Sequence, residues 1–172
     1  MIRKTTKYDY VIGIDPDVEG SGVGVVIEGR EIRKNRLELP QLIEYLREVL
    51  ATGVSMHVYI EAGWMNKGNY HLQNKGQRHA AKLGEQVGRN HEIGKQIGVF
   101  CEYYKIPFEF VYPLKKCWKG KDGKITHEEL RDLMEGSVMI PCSGSTNQEV
   151  RDAILLAMVH SGIPLMTKSF FK

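Results

Sequence analysis

Apolar residues fall into short, bounded runs along the first third of the chain. Tyr8 to Asp15 reads YDYVIGID, an apolar run that closes on Asp-Pro, which is the pattern of a strand entering a turn. GVGVVIE, residues 22–28, predicts a second strand, and Glu28-Gly29-Arg30 a tight return into a third over residues 31–38. Pro40 suits the first turn of a helix through Ala51, with Leu42, Ile43, Leu46, Val49 and Leu50 at helical spacing and Gly53 as the stop. MHVYIE, residues 56–61, is a β-branched and aromatic strand that ends on an acid.

The pattern then breaks. Residues 62–78, AGWMNKGNYHLQNKGQR, carry Gly, Asn, Gln and Lys with no apolar period, which predicts a basic, mobile loop. A long helix is expected from about His79 to Tyr104. Its Gly84, Gly88, Gly94 and Gly98 are costly in a helix and imply close backbone approach to a neighbour. Residues 108–112 give a further strand. The basic stretch LKKCWKGKDGK leads to Thr126, which forms a capping box with Glu129 at the start of a short helix. A last helix is expected from about Gln148 to His160, ending near Gly162.

The order β-β-β-α-β-α-β-α-α predicts an α/β chain, a mixed five-stranded sheet with helices on both faces. The ribonuclease H-like fold has this order. At 172 residues, with no internal repeat and no linker-like stretch, the chain is expected to be one domain over residues 1–172.

Charge changes the picture only when it is divided along the chain. The formal net charge is +3, yet residues 62–124 carry 12 basic and 5 acidic side chains, while the segments on either side are each at −2. A middle third at +7 points to a surface that faces a polyanion, or else to a solvated, lysine-rich face. Lys67, Lys75, Arg78, Lys82 and Arg89 form one basic group. Lys115, Lys116, Lys119, Lys121 and Lys124 form another, with Trp118 among them; the first group, with Lys119, Lys121 and Lys124 of the second, gives the candidates for phosphate contact. Trp64, in the Gly- and Lys-rich loop, is placed either to stack on unpaired bases or to anchor the loop.

Several classes drop out. No run approaches the roughly 20 apolar residues of a membrane span, and the N-terminus has no apolar core of a secretory signal. Three cysteines without a CxxC pair favour neither a disulfide scaffold nor a zinc site. The expected setting is the cytoplasm.

Four acids carry the candidate chemistry. Asp15 and Glu61 each end an apolar strand, and Glu149 and Asp152 lie three apart on one face of the last helix. If the first and fourth strands are parallel neighbours, Asp15 and Glu61 emerge side by side and the last helix brings its pair against them. Clustered carboxylates repel unless a cation neutralises them. Two Mg²⁺ ions about 4 Å apart form the usual clamp for phosphodiester hydrolysis. Bland readings stand beside this one. Thr146 with Glu149 has the form of a capping box, and Asp152 in a first helical turn suits the helix dipole.

Ile12-Gly13-Ile14-Asp15-Pro16 resembles the first-strand motif of the RuvC-type Holliday junction resolvases. The likeness continues in order through Ile60-Glu61 with Trp64, then Ile93-Gly94-Lys95-Gln96-Ile97-Gly98-Val99. It closes on Glu149-Val150-Arg151-Asp152-Ala153, with His160 beyond. The resemblance implies a ribonuclease H-like fold and a homodimeric, Mg²⁺- or Mn²⁺-dependent endonuclease that nicks branched DNA such as the four-way junction. It implies metal ligation by Asp15 and Glu61, with Glu149 and Asp152 as the C-terminal acid pair. Trp64 stands where the family has an aromatic that stacks at the junction centre. Asp17 stands where the family has Gly and adds a fifth acid, and Glu149 replaces Asp. The other function classes are a nuclease of this fold on another structured nucleic acid and a non-cleaving nucleic-acid-binding protein.

Overall fold

The computed structural model describes residues 7–66, 77–136 and 143–162, without the side chains of residues 77–80. Strands β1 (Tyr10–Asp15), β2 (Ser21–Ile27) and β3 (Glu31–Leu37) form a meander, followed by α1 (Leu39–Ala51) and β4 (Met56–Glu61). Then come α2 (Gln77–Tyr104), β5 (Phe108–Val111), α3 (His127–Gly136) and α4 (Gln148–His160). The strands make one sheet in the order β3-β2-β1-β4-β5. The pairs β1–β2 and β2–β3 are antiparallel, and β1–β4 and β4–β5 are parallel. This is the mixed five-stranded α/β sheet that the element order predicts.

Local chemistry explains the turns. Glu28 and Gly29 both have left-handed backbone (φ 48° and 70°), which folds β2 straight back onto β3. Thr126 and Glu129 cap α3 reciprocally: the Glu129 amide donates to Thr126 Oγ1 (3.2 Å) and the Thr126 amide to Glu129 Oε2 (3.1 Å). At α4 the cap is Asn147, whose Oδ1 accepts from the Val150 amide at 3.0 Å. The expected Thr146–Glu149 box therefore does not form. Thr146 instead bonds His127 Nδ1 (2.9 Å) and accepts Arg151 Nη1 at its carbonyl (2.6 Å), which leaves the Glu149 side chain free of a capping role.

Each face of the sheet has its own core, as strand alternation requires. On one side Ile12, Ile14, Val23, Val25, Val58 and Ile60 pack against Leu42 and Leu46 of α1 and Ile97 and Cys101 of α2. On the other, Val11 and Val26 meet Ile154, Leu155 and Met158 of α4, with Leu130, Leu133 and Met134 of α3 beyond. Helices thus cover both faces. Among the described residues no helix is long and apolar enough to cross a membrane.

Two expectations change. The segment expected as a loop from residue 62 begins as a 3-10 turn over Gly63–Met65, and α2 already starts at Gln77. Of the four α2 glycines, only Gly94 and Gly98 pack closely among the described residues, against Trp64 and Phe110; Gly84 and Gly88 have no described residue within 4 Å of where a Cβ would stand. Helical spacing identifies a face, but it does not say which glycines on it have neighbours.

Candidate active site

The register of β1 and β4 builds the site. Ile14 pairs with Ile60, so Asp15 and Glu61, one residue further along parallel strands, leave the sheet side by side. Alternation turns Ile14 and Ile60 towards α1 and α2, and Asp15 and Glu61 towards α4.

Three glycines then let α4 approach. A Cβ on Gly13 would lie 2.4 Å from the Ala153 carbonyl oxygen, one on Gly22 2.1 Å from that of Glu149, and one on Gly24 2.4 Å from Ile154 Cα. The helix backbone rests directly on the β1–β2 ribbon, because no side chain holds it off. Asp152, on its first turns, comes down over the ends of β1 and β4. Gln148 Nε2 donates to Asp152 Oδ1 at 2.8 Å, and Lys124 Nζ stands 3.7 Å from Asp152 Oδ2.

The three acids share a small cavity of about 130 Å³ with Lys116, Lys124 and Trp118. Burial raises Asp15 well above the usual carboxylate range, repulsion from Glu61 and Asp152 adds to it, and Lys124 opposes. Burial, with repulsion from Asp152, lifts Glu61 to about 7 against the pull of Lys124 and Lys116. Asp152 is raised by burial too, with the Gln148 hydrogen bond and Lys124 restraining it. Glu149 repels Asp15 as a minor contribution. Among the described residues, no three His, Cys, Asp or Glu side chains converge closely enough to hold a metal ion as they stand. Lys124 takes the position beside Asp152.

A second cavity, of about 160 Å³, opens on the other side of Asp15 and Glu61, lined by Trp64, Val87, Asn90 and His91. Trp64 is half-buried in the 3-10 turn after β4, packed against Gly94 and edge-on to Phe110 (5.2 Å) and His91 (5.8 Å). Lys95 Nζ lies 5.9 Å from its ring. The ring anchors the turn to α2 and keeps part of its surface in solvent.

Asp17 does not join the acids. Its Oδ2 accepts from Asn90 Nδ2 (3.0 Å) and its Oδ1 from the Glu19 amide (2.9 Å), while Asn90 Oδ1 accepts the Val18 amide (3.0 Å). The acid found where the resemblance has Gly thus clamps the β1–β2 turn to α2. His160 also stands apart, stacked on Tyr59 with ring centroids 4.2 Å apart.

Among the basic candidates, Lys82 and Arg89 are exposed on α2, and Lys119 and Lys121 are exposed beside the 3-10 turn Lys121–Gly123. Lys67 and Lys75 lie outside the described residues, as does the Arg78 side chain. Lys116 and Asn90 were not distinguishable in the sequence as site residues. Both come from segments whose path depends on tertiary contact.

No protein-family model and no curated protein matches the chain. Solved structures do. Thermus thermophilus RuvC aligns over 88% of this chain and 92% of its own, at 20% identity and a TM-score of 0.48. T. thermophilus RuvC in complex with Holliday junction substrate aligns over 88% and 91%, at 17% identity and a TM-score of 0.50. The chain has a RuvC-type, ribonuclease H-like fold. In this RuvC-type frame the paired strand ends and the α4 acid occupy one end of the central strands.

Proposed function

We propose that the protein is a metal-dependent endonuclease of the cytoplasm that cleaves branched DNA as a homodimer. The observation that carries this reading is that Asp15, Glu61 and Asp152, from two parallel strands and a helix seated on glycines, line one small cavity where burial raises the pKa of all three. The acids repel one another and Lys124 and Lys116 offset them only in part, and all-oxygen donors of this kind suit a hard divalent ion, Mg²⁺ or Mn²⁺. Asp15, Glu61 and Asp152 would hold it, with Glu149 one turn earlier on α4 as a further ligand. When bound, a pair of such ions supplies an activated water and stabilises the leaving oxygen of a phosphodiester.

The chain's own residues account for the rest. Lys116 and Lys124 offset the acids and give an incoming phosphate a cationic wall. Lys82, Arg89, Lys119 and Lys121 extend that wall as phosphate contacts, and Lys67, Lys75 and Arg78 add to the same basic sequence as further contacts. Trp64 presents its solvent-facing part to unpaired bases at the junction centre. Support for a nucleic acid comes from the +7 middle segment, and support for branched DNA from the Holliday junction substrate of the T. thermophilus neighbour. A four-way junction is two-fold symmetric, so two copies are needed to cut it evenly. The open face of α2, with Gly84, Gly88, Val99 and Tyr103, offers the contact.

The test is nicking of labelled four-way junction, flap, plain duplex and RNA hairpin, with and without Mg²⁺. Cleavage of the junction above all others, and only with the ion, is expected. Preferential cleavage of the hairpin would transfer the reading to structured RNA, and binding without cleavage of any substrate would reduce it to a binding protein.

A further inference from the structure

Lys34 and Arg36 of β3 are basic residues that lie outside the basic segment 62–124. The register of the sheet places them. Asp15 pairs with Gly22 and Gly22 with Arg36, so Arg36 stands two strands from Asp15 on the same row, roughly 10 Å away. Ile32 packs in the core beneath α4, and alternation puts Lys34 and Arg36 on that same face, which is also the face of Asp15. Between them the carbonyl of Glu149 rests on Gly22. The acids therefore lie on one flank of the start of α4, and the two cations on the other.

Both cations are held in place. The Arg36 guanidinium lies over Gly20, where a Cβ would stand 3.4 Å from its Nε and Cζ, and its ion pair with exposed Glu19 is long, at 3.8 Å. Lys34 Nζ donates to the carbonyls of Gly144 (3.0 Å) and Ser145, which ties the segment before α4 to the strand. A groove of about 420 Å³ opens here, with Lys34 and Arg36 on one side and Ser145, Asn147 and Val150 on the other. Among the described residues that line it there is no acid and no aromatic ring. The groove offers positive charge and neutral donors, with nothing on which a base could stack. That chemistry suits a sugar–phosphate backbone, whose phosphates match the planar fork of an arginine.

We propose that Arg36, with Lys34 beside it, binds a backbone phosphate of the cleaved strand within about three nucleotides of the scissile phosphate, the span that roughly 10 Å covers at about 3.4 Å per nucleotide. This rests on the nuclease reading and goes beyond it, since it adds a phosphate site on β3. It also gives the strand a direction, from the acids past the β1–β2 turn to the outer edge of the sheet.

The experiment uses four-way junctions with a single uncharged methylphosphonate, moved in turn along the phosphates on either side of the cut. Binding in Mg²⁺-free buffer is measured for wild type, Arg36→Ala and Arg36→Lys, and wild-type nicking in Mg²⁺ maps the cut. The Arg36 side chain is nearly half exposed, so its truncation leaves the core intact. At one phosphate within the stated span, the uncharged linkage should weaken wild-type binding roughly tenfold and leave Arg36→Ala binding unchanged. The salt dependence of Arg36→Ala binding should be shallower by about one released ion, and Arg36→Lys, which keeps the charge, should restore it. An Arg36→Ala protein with the wild-type methylphosphonate pattern and salt dependence would overturn the phosphate site while leaving the nuclease reading in place. No Mg²⁺-dependent nicking of any junction would overturn both.

Discussion

A carboxylate that follows Val11-Ile12-Gly13-Ile14 enters surroundings that resist its charge, and Glu61 beside it meets the same resistance. The consequence is a definite pH dependence. Glu61 titrates near 7 in the folded chain against an ordinary value of 4.5, so the folded state keeps a proton that the unfolded state releases. Its contribution to stability is favourable below about pH 4.5 and is lost as pH rises through about 7. In EDTA, the melting temperature of wild type should fall relative to Glu61→Gln between pH 5 and pH 8, and Mg²⁺ at pH 8 should raise that of wild type more than that of the variant. Thermal melts across this range check it; parallel curves for the two proteins would show that Glu61 carries no such strain. Asp15 and Glu61 were legible in the sequence because each closes an apolar run, and a buried acid demands a reason. Asp17 was misread as a further site acid, because the partner that engages it, Asn90, lies 73 residues away.

At the scale of elements, strand and helix positions followed closely from periodicity, and the seating of α4 is where local sequence becomes site geometry. Gly13 and Gly24 are cross-strand partners, and Gly22 faces Asp15 across the same ribbon. The run Gly20-Ser21-Gly22-Val23-Gly24 can therefore be understood as a bed for a helix. Gly24→Ala would put a Cβ 2.4 Å from Ile154 Cα and force α4 outward. A loss of about 1–3 kcal/mol in urea unfolding is expected, with nicking reduced further than stability alone explains, because Asp152 moves with the helix. Full activity in a folded Gly24→Ala protein would show that close seating is not what positions Asp152. The α2 glycines were only half legible. Gly94 and Gly98 meet aromatic rings, whereas Gly84 and Gly88 meet no side chain among the described residues.

That open face belongs to the scale of the whole molecule. If α2 joins two copies through Gly84 and Gly88, wild type should sediment as a dimer at micromolar concentration and Gly88→Leu as a monomer with unchanged helix content. A monomeric wild type, with and without junction DNA, would rule this contact out. The charge distribution makes a parallel statement about binding: a +7 segment acting through phosphates requires affinity to fall steeply with salt. The central claim is that the acids at the ends of β1, β4 and α4 serve catalysis rather than folding or DNA affinity, and it is tested most directly by Asp15→Asn. Junction nicking in Mg²⁺ and junction binding in EDTA should be measured on the same preparation. The account predicts that nicking falls by orders of magnitude, because a ligand oxygen and its charge are gone, while binding persists or tightens. Wild-type nicking by Asp15→Asn would contradict it.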